Sequence, residues 1–342
     1  MEAPYHNFVV NEGIITSNSH AMCVALDGLY CALIKKTYPL LFYEVYLNLL
    51  EENQDKDKIV LAKEEATKYF NISFPKPKFG DDNRKSIANI KNNSIATSLK
   101  SIKGFSATTS EDLYKLGLIF SNKKATFYDI LKEIENKKLK INTAHIEKLI
   151  AIGYFSNYGS ISCLIKFYSC YQKIHGRKEF KISNEEKIPI KIDVLRNFCE
   201  VETSKTLKGF NEVGFFNFLL QKLNPLQDNI KDVLFYENEY LGQIYTKDEN
   251  APDNLYYVEE MIFKKTIRSV LYHIKDGTYK TVKIRKKVFD ESPFTSNEMI
   301  KVYEIKQEPR YVYQGEDENG KPKFIKDYEN MEDILKDYYI VE

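Results

Sequence analysis

"VLYHIKDGTYKTVKI", from Val270 to Ile284, alternates apolar and polar residues on both sides of Asp276-Gly277. Period-two alternation around an Asp-Gly pair is the pattern of a β-hairpin, because Gly readily takes the left-handed backbone that a tight turn needs. Its neighbours repeat the logic. "MIKVYEIK" (Met299–Lys306) is another alternating strand, and "YVYQGEDENGKPKFI" (Tyr311–Ile325) sets two more around Asn319-Gly320. A closing helix is expected near Met331–Asp337. Several strands with tight turns from about Leu255 onward therefore predict a small C-terminal β-barrel.

Working back from the barrel, the pattern changes. Ala21, Ala25, Leu29 and Leu33 mark an apolar helical stripe broken at Pro39. Leu40–Leu50 and Ile59–Phe70 read as two more helices. "FPKPKFGDD" (Phe74–Asp82) is a Pro/Gly-punctuated loop and a module boundary. Residues 86–175 read as short helices between Gly turns. Residues 176–250 are mixed, with a short strand expected at "IPIKI" (Ile188–Ile192) and a helix near Phe215–Leu223. The expected fold class is α+β, and among small barrels an OB-like fold is the natural candidate.

The totals describe an ordinary globular protein of 342 residues with 43% hydrophobic and 29% charged residues. A net charge of +1 means that any nucleic-acid contact must come from local basic patches. The five cysteines, at positions 23, 31, 163, 170 and 199, lack metal-ligand spacing with the five histidines and read as small buried hydrophobes. No metal site is expected. The N-terminus is polar and no apolar run approaches ~18 residues, so no signal peptide or membrane span is expected and the location is cytoplasmic.

The opening stretch carries its own chemistry. Phe8-Val9-Val10, a turn at Asn11-Glu12-Gly13, and Ile14-Ile15 form a second hairpin pattern, which stops at Asn18 and turns helical from Ser19. His6-Asn7-Phe8, the β pair, Gly13 and Asn18-Ser19 together resemble the C-terminal end of an intein. That resemblance implies three roles. The Ser19 hydroxyl accepts the upstream chain as an ester, Asn18 cyclises through its amide and cuts its own peptide bond, and His6 serves in proton transfer. Ser17 stands where that family usually has His before the terminal Asn. Eighteen residues do not splice alone, so the N-terminal intein half must come from elsewhere.

From Ser19, "SHAMCVALDGLYCALIKKTYPLLFYEVYLNLL" (Ser19–Leu50) resembles the fingers segment of the bacterial DNA polymerase III alpha subunit, the C-family replicase. The likeness rests on Ser19-His20-Ala21, the helix through Leu29-Tyr30, Lys35-Lys36, and Tyr38-Pro39 followed by an aromatic run. Inteins often interrupt replicases at such segments, so the two resemblances reinforce each other. "SLKSIKGFS" (Ser98–Ser106) resembles that family's helix-hairpin-helix region, with Ser106 where a second Gly is usual. "INTAHIEKLIAIGYFSNYG" (Ile141–Gly159) resembles the segment that follows, and "YENEYLGQIY" (Tyr236–Tyr245) the stretch leading into the family's OB domain.

The resemblance implies modules at 1–18 (intein remnant), 19–80 (fingers-like), 81–175 (helix-hairpin-helix-like), 176–250 (connector) and 251–342 (OB-like barrel). It places His20, Lys35 and Lys36 beside nucleotide or template, and Lys103-Gly104 near a phosphate through the hairpin backbone. On the residues themselves, Lys283, Arg285, Lys286 and Lys287 in "KIRKK" either track phosphates or protect a strand face. Tyr256, Tyr257, Tyr272 and Tyr279 are candidates for base stacking. The family's Mg²⁺-binding palm lies upstream of the matched segment. Asp27 and Asp81-Asp82 do not supply that geometry, so no cofactor is expected on this chain and no polymerase activity from it alone. Expected partners are DNA, a palm-bearing N-terminal half and a sliding clamp, although Gln221 and Gln227 begin only poor clamp-binding peptides. The alternatives are a stand-alone DNA-binding protein and an inactive gene fragment.

Overall fold

The structure, a computed structural model, describes residues 7–10, 14–17, 19–121, 123–183, 190–316 and 322–341. The chain divides into two compact units, Met1–Lys115 and Leu116–Glu342. Helices and mainly antiparallel sheets are mixed along it, so the fold class is α+β.

In the first unit, β1 (Asn7–Val10) and β2 (Ile14–Ser17) pair antiparallel with Val10 opposite Ile14, as the opening pattern predicts. Helix α1 (Ser19–Thr37) follows, then α2 (Pro39–Glu52) and α3 (Lys56–Phe70). Pro39 forces the break, because it has no N–H to continue α1 yet is tolerated at the first position of a new helix. Asp55 caps α3 by accepting from the Lys58 N–H at 3.4 Å. Packing of α2 on α3 buries Tyr43, Leu47 and Leu50 on one helix and Ile59, Ala62 and Ala66 on the other. The side-chain amide of Asn48 both donates to and accepts from the Ser86 backbone (2.8 and 3.0 Å), which fixes the loop before β3 (Ile87–Asn89). β4 (Ser94–Ala96) pairs with β3, and α4 (Ala107–Phe120) closes the unit and runs on into the next.

In the second unit, α5 (Phe127–Asn136) opens on a capping box between Thr126 and Asp129. It is followed by α6 (Thr143–Ala151) and α7 (Ile161–Ile174). Phe127 lies 5.1 Å from Phe155 and 5.8 Å from Phe167, and Tyr128 stacks on Phe216 at 5.0 Å. Next come β5 (Glu179–Lys181), α8 (Ile192–Arg196), β6 (Cys199–Glu202) and β7 (Thr206–Phe210), with the strands in the order β5-β7-β6. Helices α9 (Glu212–Leu223) and α10 (Ile230–Leu241) follow. "YENEYLGQIY" has a local physical role here. Gly242, at φ +66, ends α10, and buried Glu237 reaches forward to accept from the backbone N–H of Tyr245 (2.6 Å) and Thr246 (2.8 Å).

The chain then enters β8 (Leu255–Phe263), β9 (Ile267–His273), β10 (Tyr279–Ile284), α11 (Lys286–Glu291), β11 (Met299–Glu316) and β12 (Pro322–Val341). The order β10-β12-β11-β8-β9 closes on itself, antiparallel except for a short parallel pairing of Lys283-Ile284 with Ile334-Leu335. Val258, Leu271, Val282, Ile284, Ile300 and Leu335 fill the interior. The Asp276-Gly277 turn forms as expected. Gly277 sits at φ +76, and Asp276 accepts from the Thr278 N–H and hydroxyl, which holds its carboxyl down at about 2. Asn319-Gly320 lies outside the described residues.

Three expectations are corrected. Met331–Asp337 belongs to strand β12 and is not a helix. Met331, Ile334, Leu335 and Tyr338 have helical spacing, but a bulge reconciles that spacing with a strand. Glu304 faces Asp337 while Ile305 faces Leu335, so Lys336 is extra, and Leu335 and Tyr338 both reach the barrel core. In "IPIKI", residues 188 and 189 lie outside the described residues, and Ile192 begins α8, burying itself and Leu195 on one helical turn. Finally, no α-helix leads directly into Gly104: β4 and a single 3₁₀ turn (Leu99–Ser101) occupy that place, with Ser98 capping the turn, and α4 follows.

Because Leu335 is fully buried where the barrel closes, Leu335→Ala should destabilise the barrel by about 2–5 kcal/mol. Urea denaturation followed by tyrosine fluorescence checks this. A change under about 0.5 kcal/mol would mean that the closure is not formed in solution.

Candidate partner-docking helix and charged surfaces

Helix α1 is the outlier of the first unit. Between Met22 and Ile34 its only charged side chain is Asp27, and Met22, Val24, Leu26, Leu29, Tyr30, Leu33 and Ile34 are all exposed. An apolar stripe of Ala25, Leu29 and Leu33 would ordinarily face a core. The structure overturns this: Leu29 is 64% and Leu33 57% exposed. The apolar surface continues onto α2 through Leu41, Val45 and Leu49, spaced four apart on one face and each about half exposed. Beside that face runs an open groove of about 420 Å³, with Val45, Leu49 and Ile87 in its lining and Glu44, Glu52 and Lys85 among its charged groups.

His6 and Asn18 lie outside the described residues. Ser19 and His20 form the first turn of α1, and their side chains also lie outside the described set. Lys35 is committed within the unit. Its Nζ lies 2.5 Å from Glu65 Oε1 and over the rings of Tyr43 (5.4 Å) and Phe42 (5.7 Å). The Lys35 ammonium holds the Glu65 carboxyl below its ordinary range, while burial, helped by the Glu65 carboxylate, pushes the Tyr43 hydroxyl up. Lys36 is exposed in the last turn of α1. The neighbouring lysines therefore differ, one holding helices together and one facing solvent.

At the hairpin, Leu99, Ile102 and Phe105 are buried, as the apolar spacing requires, and Gly104 has φ +98. Lys103 is exposed beside it. Ser106 caps α4, its hydroxyl accepting from the Thr109 N–H at 3.1 Å. Asp82 grips the Arg84 guanidinium through two contacts of 2.9 and 2.8 Å. Arg84 also reaches Glu111 at 3.1 Å and lies 3.8 Å from the centre of the Tyr114 ring.

On the barrel, "KIRKK" divides. Lys283 pairs with Glu332 (3.1 Å) and the exposed Arg285 with Glu308 (2.7 Å), so both cations already face a carboxylate. Lys286 and Lys287 are exposed on α11. The expected stacking tyrosines are occupied too. Tyr257 and Tyr272 are fully buried and donate to Asn297 Oδ1 and to the Thr246 carbonyl, Tyr256 lies against His273, and the Tyr279 hydroxyl accepts from the Ile244 N–H.

Sequence reasoning missed one cluster. His175, at the end of α7, hydrogen-bonds Glu212 through Nδ1 and Glu135 through Nε2 (2.6 Å) while stacking on Tyr171 at 4.4 Å. It ties α5, α7 and α9 together. Among the described residues no group of three or more His, Cys, Asp or Glu could hold a metal ion, and no described helix is long and apolar enough to cross a membrane. No known protein family and no curated protein matches the chain.

Lys35→Met, which keeps the stem and removes the charge, should cost about 1 kcal/mol at pH 7, whereas Lys36→Ala should stay within about 0.5 kcal/mol. The Glu65 carboxyl is depressed in the folded state. Its contribution is therefore present above its ordinary value of 4.5 and is lost as pH falls through the lower folded value. The gap between wild type and Lys35→Met in urea titrations should accordingly close in acid. A gap that persists there would exclude the ion pair as its cause.

Proposed function

We propose that this chain is the C-terminal part of a C-family replicative DNA polymerase. It contributes fingers, hairpin and OB-like elements to a palm held elsewhere and is joined to that half by splicing at Asn18-Ser19. The observation that carries this is the bare apolar circumference of α1. A helix apolar on every side belongs in a protein interior, and among the described residues of its unit this one has no such interior. Fully burying a Val, Leu, Ile or Met side chain is worth ~1.5–3 kcal/mol. Covering what is still exposed of the seven large residues from Met22 to Ile34 then supplies on the order of 10 kcal/mol. Association costs ~4–15 kcal/mol, so the Leu41-Val45-Leu49 face and its groove are needed to make docking firm. A stand-alone DNA-binding protein would leave that surface in water.

The barrel supports the second element of the proposal. Counting β8 to β12 as first to fifth strands, the order is first-second-third-fifth-fourth, with a helix between third and fourth, as in a five-stranded OB-like barrel. The β1–β2 hairpin ending beside Ser19 is compatible with the splicing end, where Asn18→Ala should block Asn cyclisation and leave the branched ester.

Cys23 and Cys31 are exposed on α1, whereas Cys163 and Cys170 are buried, with burial pushing the Cys170 thiol up to about 12. In the free chain a maleimide should label the first pair quickly and the second slowly. Saturation with a chain carrying the palm should protect Cys23 and Cys31 at least about tenfold and create primer extension that neither chain shows alone. Continued labelling of both cysteines in the presence of a saturating partner would sink the proposal, and so would extension by this chain on its own.

A further inference from the structure

Strands β11 and β12 outrun the barrel. β11 pairs with β8 only over Met299–Lys301, and β12 with β10 only at Ile334-Leu335. Farther out the ladder breaks: Pro309 faces Met331 but Arg310 faces Asp327, so Tyr328, Glu329 and Asn330 have no opposite residue on β11. Asp327 secures this bulge by accepting from the Glu329 N–H (3.1 Å) and the Asn330 side-chain amide (2.8 Å). Beyond it, among the described residues, Arg310–Glu316 and Pro322–Asp327 pair only with each other, as a two-stranded ribbon. Directly opposed residues share a face, so one face carries three rungs: Tyr311 with Lys326, Tyr313 with Phe324, and Glu316 with Pro322. Tyr311, Tyr313 and Phe324 are each 55% exposed, and the Tyr313 and Phe324 rings meet edge to face at 5.8 Å. Lys326 and Glu316 are exposed as well. The other face is less aromatic, with Arg310 opposite Asp327 and Val312 opposite Ile325.

We infer that this aromatic face binds the same face of a second copy of the chain, ribbon on ribbon across a two-fold axis. The inference goes beyond the polymerase reading and uses neither α1 nor DNA. The pattern of the three rungs selects this occupant. It runs from a cation on the barrel side, through rings, to a carboxylate near the tip. Residues two apart on a strand stand about 6.8 Å apart, so the Lys326 rung and the Glu316 rung lie equally far along β12 on either side of Phe324. A two-fold axis through the Tyr313–Phe324 rung therefore lays that rung on its own copy and sets each Lys326 rung over the Glu316 rung of the second copy. Ribbons laid the other way, barrel end on barrel end, would set lysine against lysine. An isologous contact requires this kind of self-complementarity. Layering answers a second need. A two-stranded ribbon alone is marginal in water, and an identical one at the ~10 Å spacing of packed sheets supplies the missing layer. Size fixes the strength. Six rings of ~150–250 Å² each, just over half exposed, offer on the order of 500–800 Å² to bury. That falls short of the ~1,200–2,000 Å² of a stable interface, so the dimer is weak and depends on concentration.

The test is sedimentation equilibrium of the full chain from low- to high-micromolar concentration. The wild type should pass reversibly from monomer to dimer. Tyr313→Ser/Phe324→Ser should weaken that dimer at least about tenfold, since the central rung meets its own copy. Lys326→Glu and Glu316→Lys should each weaken it at least about fivefold, because either reversal sets like charges together twice per dimer. Lys326→Glu/Glu316→Lys should return to within about twofold of the wild type, since the swap restores both pairs with their signs exchanged. All four positions are exposed, so an unchanged thermal transition serves as the folding control. A chain that stays monomeric throughout overturns the inference. Self-association indifferent to the ring variant or to the single reversals overturns it too, because the contact then lies elsewhere, and so does a double reversal that fails to restore the dimer. The ribbon carries no cysteine, so labelling of Cys23 and Cys31 on α1 is scored separately and failure here is distinguishable from failure of the docking proposal.

Discussion

The C-terminal part of the molecule depends on a parallel contact only two residues long, Lys283-Ile284 against Ile334-Leu335. Without it the five strands would leave β10 and β12 as open edges. Parallel neighbours cannot be joined by a tight turn, so the chain must cross over between them, and α11 with the loop to β11 begins that crossover. Closure also decides where charge goes. It brings Arg268 and Lys283 to Glu332 (2.6 and 3.1 Å) and Arg285 to Glu308 (2.7 Å), which Lys336 already meets at 2.5 Å across the β11–β12 ladder. Burial opposes ionisation of Glu332, yet Lys283 and Arg268 still hold its carboxyl below the ordinary range. Each exposed pair is worth little by itself, ~0.2–1 kcal/mol. Their larger consequence is that a basic strand becomes electrically quiet.

The first unit shows the same conversion of apparent function into architecture. Lys35 looks like a phosphate ligand in the sequence, but it sits over two rings and against Glu65. Glu51 looks like a surface acid at the end of α2. It is buried, accepts from the Ser86 hydroxyl at 2.7 Å, and has its carboxyl pushed up by that burial. Ser86 is in turn held by Asn48 through its backbone. Polar side chains from α2 thus fasten the far end of the Pro-rich loop that follows α3, whose own Ile72, Phe74 and Phe79 are buried.

Local chemistry explains what could be read without coordinates. The break at Pro39, the helix from Glu212 to Leu223, the Asp276-Gly277 turn and the strand from Met299 are each set by residues within one or two turns of one another. Non-local pairing explains the failures. Met331 to Tyr338 has helical spacing, and only the bulge at Lys336, formed against β11, shows why the same spacing suits a strand. The short β3–β4 and β5-β7-β6 sheets gave no signal, since three-residue strands such as Ser94–Ala96 carry too little alternation to register. For the sites, sequence located the charges but not their partners. Glu65 is thirty residues from Lys35, and Glu332 forty-nine from Lys283. The signal that could have revealed α1 was present, because its apolar residues fall on every side of the helix and not on one stripe.

Two exposed apolar surfaces remain once these pairings are counted, and their shapes call for different occupants. A helix apolar around its circumference is fully covered only by a groove that wraps it, which would have to run ~1.5 Å for each residue covered. A ribbon aromatic on one face needs only something flat laid along that face. Its other face mixes Val312 and Ile325 with Arg310, Lys323 and Asp327 and is less apolar. The helix therefore constrains what could cover it more tightly than the ribbon does, since burying apolar area on all sides demands a matched cavity and burying one face does not.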